Sequence, residues 1–167
     1  MNTPAGYGSA ILSPCGLYRY SLTRQWSEGA KQILWIMLNP STADANVNDP
    51  TIRRCIAFSK AWGYDSLEVV NLFALRSPNP QDLIDSSEAG IDPVGPNNDG
   101  YISWAVKQSA SVIAAWGSRG FARTRVPLIK SICGRIDCLG VTKDGSPRHP
   151  LYVKADQQRD IWQGAVE

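Results

Sequence analysis

Residues 33–54 read ILWIMLNPSTADANVNDPTIRR: six apolar side chains in succession, an Asn-Pro break, a mixed polar loop and then Asp-Pro. A short run with no polar interruption suits a strand covered on both faces, as in a parallel sheet between helices. Beyond the loop, Asp49 can cap a helix and Pro50 fits its first position. Ile52, Cys55, Ile56 and Trp62 follow at mostly helical spacing until Gly63 closes it. A strand, a loop and a helix therefore follow one another within thirty-one residues.

The unit recurs. Leu67 to Leu72, Ser111 to Trp116 and Ile136 to Val141 are further apolar runs with helix-like segments between them. Asn97-Asn98-Asp99 offers caps to a stripe of Ile102, Ala105 and Val106. Phe121, Leu128, Ile129 and Ile132 suggest another helix near Pro127. Parallel strands need long crossovers that are usually helical, so the pattern predicts a three-layer α/β/α sandwich around a central, mainly parallel four-stranded sheet. The alternating stretch LYRYSLTRQW (17–26) predicts an N-terminal antiparallel edge strand. One domain over residues 1–167 is expected, with no linker and no internal repeat.

Composition narrows the function. With 43% hydrophobic and 19% charged residues the chain is globular. No apolar run approaches the roughly 20 residues of a spanning helix, and the start, MNTPAGYGSAILSP, lacks a signal-peptide pattern, so a cytoplasmic protein with no membrane partner is expected. Cys15, Cys55, Cys133 and Cys138 form no C-x-x-C pair and His149 is the single histidine. Zinc and disulfide frameworks are disfavoured, and an iron–sulfur cluster would need all four thiolates to converge. Neither a metal nor a cofactor is expected. The net charge is +2, but seven of the basic residues fall between Arg119 and Arg148, a segment able to face phosphates.

Ligands of open α/β sheets bind beyond the carboxyl ends of the strands. Those ends carry Asn39-Pro40-Ser41-Thr42, Asn71, Trp116-Gly117, and Thr142 leading to KDGSPRHPLY (143–152). Asn39 before proline has a plain reading as turn chemistry. Asn71 inside VVNLF must find hydrogen-bond partners, from a neighbouring loop or from a ligand. Two amides and an imidazole favour recognition of a neutral heterocycle and stabilisation of an oxygen anion over metal or triphosphate chemistry.

The set resembles the uracil-DNA glycosylase superfamily. MLNPSTADA is similar to its first motif, VVNLF to the strand whose Asn reads the base, and GSPRHPLY to its His-Pro loop. The resemblance implies that Asn39 positions the attacking water, Asn71 bonds the edge of an extruded base, and His149 donates to the base oxygen that gains charge. It further implies stacking by Phe73 or Trp116, a wedge at Leu151 and Tyr152, and phosphate contacts from Arg148 and Lys143 on DNA. Ser41 stands where the superfamily has a glycine, and Leu151-Tyr152 replaces Ser-Pro. Asp49 is read as the helix cap, which leaves Asp44 as the candidate general base. Across residues 17–153 the chain also resembles a bacterial and phage family of unknown function marked by LNPSTAD, DPTIRR, NLFA, AWG and PRHPLY. The expected activity is hydrolysis of an N-glycosidic bond. The alternatives are an enzyme of free nucleosides or nucleotides and a non-catalytic binder of modified bases.

Overall fold

The computed structural model describes residues 7–164. The signal-peptide reading and the 1–167 domain boundary therefore rest partly on residues outside the described ones.

Among the described residues seven strands form one mixed sheet in the order β1-β2-β4-β3-β5-β6-β7. The four expected runs are its parallel centre: β3 (Gln32–Met37), β4 (Ser66–Asn71), β5 (Ser111–Ala114) and β6 (Asp137–Cys138). Alternation along β3 divides the core between two faces. Ile33, Trp35 and Met37 pack with Ile52, Cys55 and Phe58 of α1 (Pro50–Ala61), while Leu34 and Ile36 pack with the opposite layer. That layer holds α2 (Gln81–Glu88), α3 (Asn98–Gln108) and α4 (Val126–Ile132), represented by Leu83, Ile102, Ala105, Val126 and Ile129. The sheet is thus buried on both sides, which is why its central strands carry no polar alternation.

The expectation of four strands and an N-terminal edge needs correction. β2 (Arg19–Gln25) is antiparallel as expected, but β1 (Tyr7–Leu12) pairs outside it, and β7 (Asp160–Ile161) closes the other side against β6. Both added strands are half-exposed or exposed, so neither shows a buried run. The fourth run pairs only at Asp137–Cys138.

Asp49 caps α1 as its sequence suggests, its Oδ1 accepting from Ile52 N–H at 2.9 Å, and Gly63 follows the helix at φ +84°. Asn97 makes no side-chain cap on α3. Its neighbour Asn98 turns inward instead, donating from Nδ2 to the carbonyls of Asn71 at 2.9 Å and Leu72 at 3.3 Å.

From β3 the chain crosses to β4 on one side, then returns past β3 to β5 on the other. The two connections diverge beyond the carboxyl ends of β3 and β5. Such a reversal opens a crevice where ligands bind.

Candidate functional site

A cleft of about 670 Å³ occupies that crevice. Met37, Leu38 and Asn39 enter it from the end of β3, Asn71 from β4, Trp116 and Gly117 from β5, Thr142 from beyond β6, and Arg148 and His149 from the His-Pro loop. The four strand ends singled out in the sequence therefore meet around one space.

Asn71 lies on the same face of β4 as Val69 and is 1% exposed. Neither its Oδ1 nor its Nδ2 has a hydrogen-bond partner. Its main chain is well held: the carbonyl accepts from Asn98, and Arg125 Nε donates to the next carbonyl, Leu72, at 2.9 Å. An unpaired buried polar group costs about 1–3 kcal/mol, so a rigid strand end here presents an unused donor and acceptor to the cleft.

Asn39 is oriented by carbonyls. Its Nδ2 donates to Ser77 O at 3.0 Å, to Pro40 O at 3.2 Å and to Leu75 O at 3.5 Å. Carbonyls only accept, so the amide orientation is fixed and Oδ1 is the atom left for a ligand. Pro40 is buried behind this turn, its carbonyl accepting from Ser77 N–H at 2.9 Å, whereas Ser41 lines the cleft.

His149 takes one tautomer for a similar reason. Leu151 N–H donates to Nδ1 at 3.2 Å, which places the ring proton on Nε2. Burial holds the imidazole below its usual pKa of 6.5, partly opposed by the negative charge of Asp49. The ring is thus a neutral donor at pH 7. Arg54 of α1 ties down the loop, Nε donating to Pro150 O at 3.2 Å and Nη2 to Val153 O. Gly117, at φ +77°, turns the β5 end so that its N–H donates to Pro147 O at 2.9 Å, and its Cα faces His149 Cβ.

The other expected residues divide. Trp116, buried and edge-on to Trp162, lines the cleft, as do Arg148, Leu151 and Tyr152, the last 79% exposed at its mouth. Phe73 does not: it is buried in the opposite layer, edge-on to Phe121. Asp44 also stands apart from the cleft. Its Oδ1 accepts from Asn46 and Val47 N–H, both at 2.8 Å, and these bonds lower its pKa. Asp49 lines the cleft while capping α1, so the carboxylate at the site is the one read only as a cap. Residues 92–99 contribute nothing to the cleft lining and buttress β4 from behind through Asn98.

The basic segment is not one surface. Arg125 pairs with Asp99, Arg135 with Asp137 at 2.9 Å and Arg123 with Asp144 at 3.3 Å. Arg119 and Arg148 line the cleft, and Lys143 is exposed.

Arg19 was not foreseen. It is 2% exposed, lines the cleft and donates from Nη1 to Ala43 O at 2.7 Å. Strict alternation along 17–26 would put it with Ser21 on the far face. A bulge intervenes, since Ile11 pairs with Ser21 but Leu12 pairs with Arg19, skipping Tyr20. The extra residue sends both Tyr20 and Ser21 toward the α3 side and Arg19 toward the cleft.

The four thiols do not converge. Cys55 sits in the α1-side core, Cys133 and Cys138 in the other, and Cys15 is exposed. Among the described residues no group of three or more His, Cys, Asp or Glu side chains is placed to hold a metal, and no helix is long and apolar enough to cross a membrane.

No curated protein and no solved structure matches the chain. A family model described as "Protein of unknown function (DUF1643)" matches residues 19–151, from the bulged arginine of β2 through the His-Pro loop that closes the cleft, and the chain belongs to that family.

Proposed function

We propose that the cleft receives a nucleobase extruded from DNA and hydrolyses its N-glycosidic bond. The observation that carries this reading is Asn71: a buried carboxamide on a strand end held by its main chain, with donor and acceptor both free, suits the paired donor and acceptor on the edge of a base. A site built to bond such an edge rejects rings that lack it, because its own polar atoms would stay unpaired.

The neighbouring groups fit the same chemistry. As the C–N bond breaks, its electron pair passes to the base, and the Nε2–H of neutral His149 donates to the oxygen on which charge gathers. Asn39 Oδ1 accepts a hydrogen bond from the water that attacks the sugar carbon. The Asp49 carboxylate, facing the same space, takes the proton that water releases and balances the oxocarbenium-like charge. In this reading the general base is Asp49 in place of Asp44. Trp116 supplies the apolar wall, and Tyr152 and Leu151 stand at the mouth where the vacated stack would lie.

The test is release of free base from single- and double-stranded oligonucleotides carrying uracil, hydroxymethyluracil, hypoxanthine or bulky modified pyrimidines. Release by the native protein and none by Asn39→Ala is the expected result. Equal release by both would remove Asn39 from the chemistry. Salt-sensitive binding without release would favour a reader of modified bases, and neither binding nor release would favour a free-nucleotide enzyme.

A further inference from the structure

Arg19 has no place in the hydrolysis just described, yet the fold spends a strand irregularity to present it. Its side chain is buried, and Nε has no hydrogen-bond partner. Among the described residues its one hydrogen bond runs from Nη1 to Ala43 O, and no carboxylate lies within ion-pair distance. Asp49 and Asp44 are the nearest opposing charges, but Asp49 directs Oδ1 to Ile52 N–H and Asp44 directs its own to Asn46 and Val47. Arg76 and Arg24 add positive charge nearby.

A structural guanidinium buried to this degree ordinarily carries a paired carboxylate or a full set of acceptors. Arg19 has one carbonyl. Burial lowers its pKa to about 10, which still leaves it cationic at neutral pH. The cation therefore has no ion-pair partner, with Asp49 opposing it only at longer range, in a cleft where buried Asn71 is also unpartnered.

We infer that Arg19 is an anion subsite, so that the moiety entering the cleft carries an acidic group, a carboxylate or a phosphate, alongside the edge that Asn71 bonds. The inference rests on the reading of the cleft as a base site and narrows its substrate. Depth separates this anion from the DNA backbone: phosphates of flanking nucleotides would meet exposed Arg148 and Lys143, whereas Arg19 is reached only by what enters. Two sources share the chemistry, an acidic substituent on the base and the phosphate ester of a free nucleotide.

Calorimetric binding of two pairs distinguishes them: uracil against 5-carboxyuracil, and uridine against uridine 5′-monophosphate. The native protein should prefer the anionic member of one pair by about 10- to 100-fold, as charge-assisted hydrogen bonds to a buried guanidinium would give. A preference for 5-carboxyuracil assigns the anion to the base, and one for the monophosphate assigns it to a nucleotide. Arg19→Gln should erase that preference and Arg19→Lys retain part of it. Arg24→Gln serves as the structural control, because Arg24 holds the same loop through Asn48 Oδ1 and Val47 O without lining the cleft. It should keep the preference. Equal binding within both pairs by the native protein, including no binding of either anion, overturns the inference, as does a preference that survives Arg19→Gln or is lost equally in Arg24→Gln. Failure of the base-site reading looks different: Asn71→Ala would then leave the affinity for the neutral members unchanged.

Discussion

Asn71 sets the stability of the site against its use. Both amide atoms lack partners, so replacing the side chain with an apolar one of similar size should not destabilise the fold. Asn71→Leu is expected to melt at or above the native temperature. A large drop would show that the amide has a structural role. His149 makes an equally sharp statement about pH. Because its folded pKa is depressed, the unfolded chain binds the proton more readily, and the stability this group contributes falls as pH drops through 6.5 toward the folded value. Activity should follow the neutral form, flat through neutral and alkaline pH and falling on the acid side with a midpoint below 6.5. A profile that instead fell as pH rose through that value would mean that the imidazolium acts as an acid.

At the scale of elements, α1 does two jobs with two side chains. Asp49 caps its first turn while facing the cleft, and the two roles can be separated. Asp49→Asn keeps a good cap and loses the charge, so thermal stability should change little while turnover falls. Asp49→Ala should add a stability loss of about 1 kcal/mol. Equal activity of Asp49→Asn and the native protein would return Asp49 to a purely structural role. Arg54, one turn further along, anchors the His-Pro loop by two main-chain bonds. Its loss should lower kcat/KM about tenfold or more through misplacement of His149, with the helix intact by circular dichroism. The local signals for α1 were legible: Asp-Pro at the start and Gly63 after the end have one mechanical meaning each. Which aspartate faces the cleft was not, because Asp44 and Asp49 differ only in how a ten-residue loop folds back on itself, and the arginines that pin that loop come from β2.

For the whole molecule, burial on both faces made the four parallel strands readable, and the rule that ligands sit beyond their carboxyl ends made the meeting of Asn39, Asn71, Trp116 and His149 around one cleft readable with them. β1 and β7 escaped because a short, exposed strand leaves no apolar run. Arg19 escaped because a bulge has no composition of its own and reverses the face that alternation assigns. Charge counting overstated the basic segment, since Arg123, Arg125 and Arg135 are committed to aspartates. With Lys130 held over the Trp162 ring, and Arg119, Lys143 and Arg148 left for phosphates, oligonucleotide affinity should fall with salt at a log–log slope of only about −2 to −3. Fluorescence anisotropy across a salt series measures it, and a slope near that of all seven basic residues would mean that the ion pairs open on binding. If Asn71 reads the base whose glycosidic bond is cleaved in the cleft, its loss should halt release of that base. The most direct measurement is single-turnover base release from the best oligonucleotide of the panel by the native protein and by Asn71→Leu, matched for folding. Release by the native protein with a loss of about 100-fold or more in the variant is the predicted result. Undiminished release by Asn71→Leu would contradict it.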